Sequence, residues 1–248
     1  MYDFVTALEF LTRFHLSKSG EWHDEDFSRS VIWFPLVGLW CGLCLAFVAW
    51  GLDCLAVHPL LRSVLLMLAE LAVWGGLMYD GFMDTCDGVF SARNRERMLE
   101  IMKDSHAGAN AVLGACVLLL CKFVCFVILE GWTLILVFPA CYAFTRGLMV
   151  NFIINFPNPR GNGIGQMFKQ YAKGWYVIFA LGFGTIVTVV CGWVYLGAAF
   201  ITGCAGLLTA MFLSRQLGGL TGDTFGFLTQ VGEVVFFISV YFIGRVEV

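Results

Sequence analysis

Three aspartates in one short stretch, Asp80, Asp84 and Asp87, stand four and three residues apart. On a helix that spacing sets them on one face, with neighbouring side chains about 5–6 Å apart. Like charges so close repel unless a cation sits among them. Magnesium fits that need, because it takes oxygen ligands and is commonly shared between carboxylates and substrate phosphates. A solvated polar loop is the plain alternative. Downstream run Arg93, Arg95, Arg97, Glu100, Lys103 and Asp104, then Ser105-His106-Ala107-Gly108. Basic side chains beside a carboxylate–metal centre suit a phosphorylated substrate. They equally suit a loop kept on the basic side of a membrane. Two glycine-rich segments add to the set. Pro157-Asn158-Pro159-Arg160-Gly161-Asn162-Gly163-Ile164-Gly165 could bring backbone N–H groups and a guanidinium against a phosphate. Gly218-Gly219-Leu220-Thr221-Gly222-Asp223-Thr224 could do the same, or simply end a helix.

The elements that must hold these residues are apolar. The 248 residues are 59% hydrophobic and 13% charged, against about a quarter charged in a soluble domain, and mean hydropathy is +0.81. So few charges cannot cover that much apolar surface, and a bilayer must solvate most of it. A hydrocarbon core about 30 Å thick needs roughly 20 apolar residues as helix. Residues 31–52, 63–79, 108–129 and 132–151 supply four such spans, and 174–214 is long enough for two, divided near Gly197. A last span covers 224–244. The fold class is all-α: a polytopic membrane protein of about seven transmembrane helices, in one membrane-embedded domain over 1–248. Residues 80–107 form its acidic loop.

With the N-terminus inside, segments 1–30, 80–107, 152–173 and 215–223 hold 3, 4, 3 and 1 basic residues, while Arg62 and Arg245 alone lie outside. That asymmetry puts every motif loop on the cytoplasmic side. Residues 1–30 carry Phe4, Ala7, Leu8, Leu11 and Phe14 at helical spacing. They read as an amphipathic helix in the interface, or as one packed on the cytoplasmic mouth of the bundle. Glu70, Lys122, Arg146 and Glu233 fall inside spans, where they must pair with one another or face a polar cavity. Arg146, about two turns before residue 152, is placed to point into such a cavity. A net charge of −3 and the lack of a long basic tract argue against nucleic acid as a partner. The ten cysteines show no disulfide or zinc framework, and read as small hydrophobes.

Several of these blocks together resemble one family. Phe10-Leu11-Thr12-Arg13, Phe34-Pro35-Leu36-Val37-Gly38 and the block from Gly75-Gly76-Leu77 through Asp80-Gly81, Asp84 and Asp87-Gly88 resemble the cobalamin synthases (adenosylcobinamide-GDP ribazoletransferases). So do Leu99-Glu100-Ile101-Met102-Lys103-Asp104-Ser105 with Gly108, and the closing segment 218–224. The likeness runs in order over nearly the whole chain. One departure is Met78, where the family commonly has histidine.

The resemblance implies a transferase of the bacterial or archaeal cytoplasmic membrane that acts late in cobalamin biosynthesis. It would join adenosylcobinamide-GDP to α-ribazole, or α-ribazole 5′-phosphate, with Mg²⁺ and release GMP. Membrane lipid surrounds such an enzyme, and a complex with other cobalamin-assembly enzymes is compatible with it. On this reading Asp80, Asp84 and Asp87 hold the metal, and the ribazole 5′-hydroxyl attacks the phosphorus attached to cobinamide. Asp84 and Asp87 are indispensable to turnover. Asp104 is the first choice for general base or second metal ligand, and Asp223 the second. Arg93, Arg97, Lys103, Arg146 and Arg160, with Gly161 and Gly163, contact phosphate. Another magnesium-dependent membrane diphosphate transferase would show acidic motifs of a different pattern. A transporter would usually show internal repeats, which this sequence lacks.

Overall fold

The computed structural model describes residues 2–14, 24–160 and 164–245, and every regular element among them is helical. In chain order these are α1 (Tyr2–Leu11), α2 (Asp24–Ser30), a 3-10 turn (Val31–Trp33), α3 (Phe34–Cys54), α4 (Pro59–Trp74), α5 (Leu77–Val89) and α6 (Arg95–Ile101). There follow α7 (Ala109–Ile128), α8 (Gly131–Asn155), α9 (Ile164–Gln170), α10 (Trp175–Cys191), α11 (Trp193–Leu217) and α12 (Gly222–Gly244).

Five helical runs are long and apolar enough to cross a bilayer alone: Glu25–Cys54, α7, α8, α11 and α12. α4 qualifies only together with α5, from which it is bent by 96°. α10 is apolar but has 17 residues, about 26 Å of helix. All seven expected apolar segments are therefore helices, and two of them are short. Bulky side chains point outward along them, among them Phe47, Ile178, Val190 and Phe200, each more than two-thirds exposed. A surface of that kind needs lipid around it.

α8 is the hub, with 83% of its apolar window buried. It packs against α3, α10 and α12. The α3 contact is close because Gly38 and Gly42 lie directly on the α8 backbone at Tyr142 and Pro139. Small residues at such crossings let helices approach where no water is left to squeeze out.

Two boundaries differ from the sequence expectation, each at a glycine with positive φ. The 63–79 span ends early, at Trp74, because Gly75 takes φ 70 and turns the chain into α5. The 174–214 run divides at Gly192, φ 134, whereas Gly197 lies inside α11. Only glycine adopts these conformations without strain. α1 packs on the end of the bundle, with Ala7 and Leu11 fully buried and contacts to α2, the 3-10 turn and α3. Of the two N-terminal readings, the packing of this helix on the bundle is the one the contacts show.

The four intramembrane charges form one buried network. Lys122 Nζ donates to Glu70 Oε1 at 2.5 Å and to Glu233 Oε2 at 2.7 Å. Arg146 Nη1 donates to Glu233 Oε1 at 2.7 Å, and its guanidinium lies 3.9 Å over the Trp74 ring. Two cations and two anions thus tie α4, α7, α8 and α12 together. Tyr79 joins them, its hydroxyl 3.3 Å from Lys122 Nζ, which links the network to the residue next to Asp80.

Candidate active site

The polar motifs meet at one end of the bundle because α5 and α12 cross there almost backbone to backbone. A Cβ on Gly81 would stand 2.7 Å from the carbonyl oxygen of Asp223, and one on Gly226 would stand 2.9 Å from that of Met78. With no side chains between them, the helices bring Asp80 and Asp223 to the same cavity wall. Asp84, one turn along α5, lies in the field of Asp80, Asp223 and Asp87, with Arg160 opposing.

The closing glycine segment proves to be a helix end built to aim Asp223. Gly218 caps α11 in the left-handed region, φ 76, and Leu220 N–H donates to the Pro157 carbonyl at 2.8 Å. Thr221 and Thr224 then form a reciprocal capping box at the start of α12, which satisfies N–H groups that the first turn leaves unpaired. Asp223 follows in that first turn, and its Oδ2 accepts from Arg160 Nη1 at 3.0 Å. Arg160 keeps two further donors, Nε and Nη2, buried and without a hydrogen-bond partner among the described residues. A guanidinium has five N–H donors in a fixed fork, so this one has capacity left for an anion.

Other expected residues lie elsewhere. Both oxygens of Asp87 are engaged, accepting from Gly108 N at 2.5 Å and Ala111 N at 2.8 Å. Asp87 therefore caps α7. Among the described residues no group of three or more His, Cys, Asp and Glu side chains is arranged to hold a metal ion by itself, so the Asp80–Asp84–Asp87 trio does not close as expected. Asp87→Ala is expected to cost about 1 kcal/mol of stability, whereas Asp87→Asn keeps an acceptor for α7 and loses less; thermal melts in detergent would show the difference. Should Asp87→Asn remove metal-dependent turnover as fully as Asp84→Asn, the Asp87 charge serves the site after all.

Arg146, expected at phosphate, lies inside the bundle. It is fully buried and committed to Glu233 and Trp74. Asp104 is exposed and bonded to His106 at 2.7 Å, and those bonds hold its carboxyl below the usual range, which weakens it as a base. Arg97 pairs with Glu100 on the exposed face of α6. Arg93 and Lys103 are exposed, and no bond joins them to the carboxylates. Gly161 and Gly163 lie outside the described residues.

Sequence spacing also missed one residue. The Arg95 guanidinium packs directly on Gly218, at the turn that launches α12, while Met98 and Met102 seat α6 against Leu217. Nothing in the alternation of Arg93, Arg95 and Arg97 singles out the middle one. Only the absent side chain at Gly218 does so.

The donors at the cavity mouth suit a hard cation. The carboxylates of Asp80 and Asp84 have no hydrogen-bond partner among the described residues, and Asp223 lies near them beside a guanidinium. Magnesium is usually held by one or two carboxylates and completed by substrate phosphates and water, and this set fits that manner of binding. Larger cavities, of about 440 and 540 Å³, lie between α5, α7 and α12 and between α8, α10 and α11. Neither contains a carboxylate.

Helices that need a bilayer, with carboxylates and an arginine gathered at one mouth, define a polytopic membrane protein with a polar site at that mouth. The cobalamin-5-phosphate synthase family model matches residues 3–241. The chain belongs to that family and is a transferase of cobalamin biosynthesis. It is 36% identical to the adenosylcobinamide-GDP ribazoletransferase of Geotalea daltonii, over 97% of both chains. It is 38% identical to that of Desulfitobacterium hafniense, over 95% of this chain and 94% of the relative. Identity to the Escherichia coli K12 protein is 34%, over 95% and 98%. No solved structure matches.

Proposed function

We propose that this chain joins adenosylcobinamide-GDP to α-ribazole or its 5′-phosphate and releases GMP, at a site facing the cytoplasm. One observation carries the reading: Asp80, Asp84 and Asp223 lie close together beside Arg160, whose buried Nε and Nη2 have no partner among the described residues. A diphosphate electrophile asks for that combination.

A ribose hydroxyl of the acceptor attacks the phosphorus next to cobinamide. The new P–O bond forms as the bond to the GMP oxygen breaks, and GMP leaves with the electron pair. The 5′-hydroxyl is not the nucleophile. A family described by a cobalamin 5-phosphate product carries a phosphate on that oxygen, so another hydroxyl of the sugar reacts. Asp80 and Asp223, which line one cavity, would hold Mg²⁺ together with the substrate's phosphates, and the ion when bound neutralises charge on the diphosphate. Arg160 offers its two free donors to a phosphate oxygen and stays anchored through Nη1 to Asp223. Asp84, half-buried and with no side-chain hydrogen bond among the described residues, is the carboxylate best placed to take the hydroxyl proton. Asp223 is already committed to Arg160 and Thr221.

The test is GMP release by purified protein from adenosylcobinamide-GDP and α-ribazole, with and without Mg²⁺. Asp84→Asn is expected to lower kcat by about 10²- to 10⁴-fold while the protein remains membrane-inserted. Near-normal turnover by this variant in magnesium would mean the chemistry happens elsewhere.

A further inference from the structure

Asp80 and Asp223 line a narrow cavity of about 70 Å³. Its other walls are apolar, chiefly Phe10 from α1, Phe168 from α9, Met78 from α5 and Met149 from α8. We propose that this cavity, taken with the transferase reading above, is the subsite for the acceptor's heteroaromatic base, with Phe10 and Phe168 as its aromatic wall and Met78 and Met149 as its adjustable one.

The cavity joins charged and aromatic lining in one small space. A nucleoside acceptor has a hydroxyl-bearing sugar at one end and a flat base at the other. Its reacting hydroxyl must reach an electrophile held at the carboxylates. The base must then lie within one sugar's length of Asp80 and Asp223, and the cavity those carboxylates line is otherwise walled by aromatic and thioether side chains. The rings are braced to present fixed surfaces. Phe10 and Phe168 meet edge to face at 4.8 Å, and Phe34 backs both, at 6.1 Å and 5.4 Å. Edge-to-face and offset contacts are what a further aromatic ring would continue. The methionines are unbranched and polarizable, so they can shift to admit a bicyclic base and then contact its edge through sulfur. The volume as it stands takes only part of such a base, and these two side chains are the walls that yield.

The lining also sets a preference. Apart from the carboxylates at the mouth, the side chains named offer no hydrogen bond, so exocyclic amino groups on a base would be stranded there. Benzimidazole-type ribosides should be favoured over adenine ribosides.

Steady-state kinetics on the full-length protein in detergent tests this, varying adenosylcobinamide-GDP and the acceptor separately. Phe168→Ala is expected to raise KM for α-ribazole at least about tenfold and to leave KM for the cobinamide donor unchanged. Met149→Gln, which keeps length and adds an amide, should narrow the preference for α-ribazole over the adenine α-riboside by about tenfold. Should Phe168→Ala fail to fold, Phe168→Leu supplies the same donor-against-acceptor comparison. The subsite is wrong if well-folded variants shift both KM values together or shift neither. A wild-type protein that releases no GMP overturns the transferase reading and this inference with it, an outcome distinct from active variants with an unmoved acceptor KM.

Discussion

Gly81→Ala should leave the protein folded and remove most of its activity. The added methyl would stand 2.7 Å from the Asp223 carbonyl oxygen and 3.0 Å from its Cα. Those are backbone atoms in the first turn of α12, fixed by the Thr221–Thr224 capping box, so they cannot swing aside as a side chain would. Relief requires α5 and α12 to move apart at the point where Asp80 and Asp223 face one another. Alanine in place of glycine gains about 1 kcal/mol of helix propensity, and overpacking costs about 1–3 kcal/mol. Net stability therefore changes little. Catalysis has no such compensation, because a misplacement of about 1 Å can cost 10²-fold. Melting temperature and GMP release measured on the same preparation would separate the two effects. Gly182→Ala is the control: that glycine lies in α10 with nothing within 4 Å of the added methyl. Equal loss in both variants would show that the α5–α12 crossing has no special role.

The crossing also marks the limit of what the sequence could disclose. Hydropathy found the apolar segments, because a bilayer imposes its length on every helix, and helical spacing found the buried face of α1. The glycine breaks were misplaced or missed, since a positive φ has no signature in average hydropathy. Gly197 was as good a candidate as Gly192 until the backbone was known. The spacing of Asp80, Asp84 and Asp87 suits the helix that α5 forms, but could not show that α7 starts opposite Asp87 and takes both its oxygens. Asp223 and Arg160 are 63 positions apart in sequence and bond through a tertiary contact, so local pattern offered each of them only a weak motif. Arg146 failed for the opposite reason. Its position suggested a route to the mouth, yet Glu233 and the Trp74 face hold it inside the bundle.

The buried network allows a second prediction, which turns on charge balance. Lys122 serves both Glu70 and Glu233, while Arg146 serves Glu233. Lys122→Met leaves Glu70 without a counter-charge in the middle of the bundle, and breaking a buried pair in this way costs about 3–5 kcal/mol. Lys122→Met combined with Glu70→Gln leaves Arg146 and Glu233, one cation and one anion already bonded at 2.7 Å. That double variant should recover most of the loss. Lys122→Met combined with Glu233→Gln is equally balanced in number, but it strands both survivors away from their partners and should recover little. Thermal unfolding of the three variants in one detergent distinguishes pairing from simple neutrality. The effect should reach the site as well, because Tyr79 rests on Lys122, with its ring centroid 5.0 Å from Nζ, and precedes Asp80 on α5. The rescued double variant should therefore regain stability more fully than activity. If the two double variants prove equally stable, net charge alone matters, and the hydrogen-bonded geometry of the network contributes nothing.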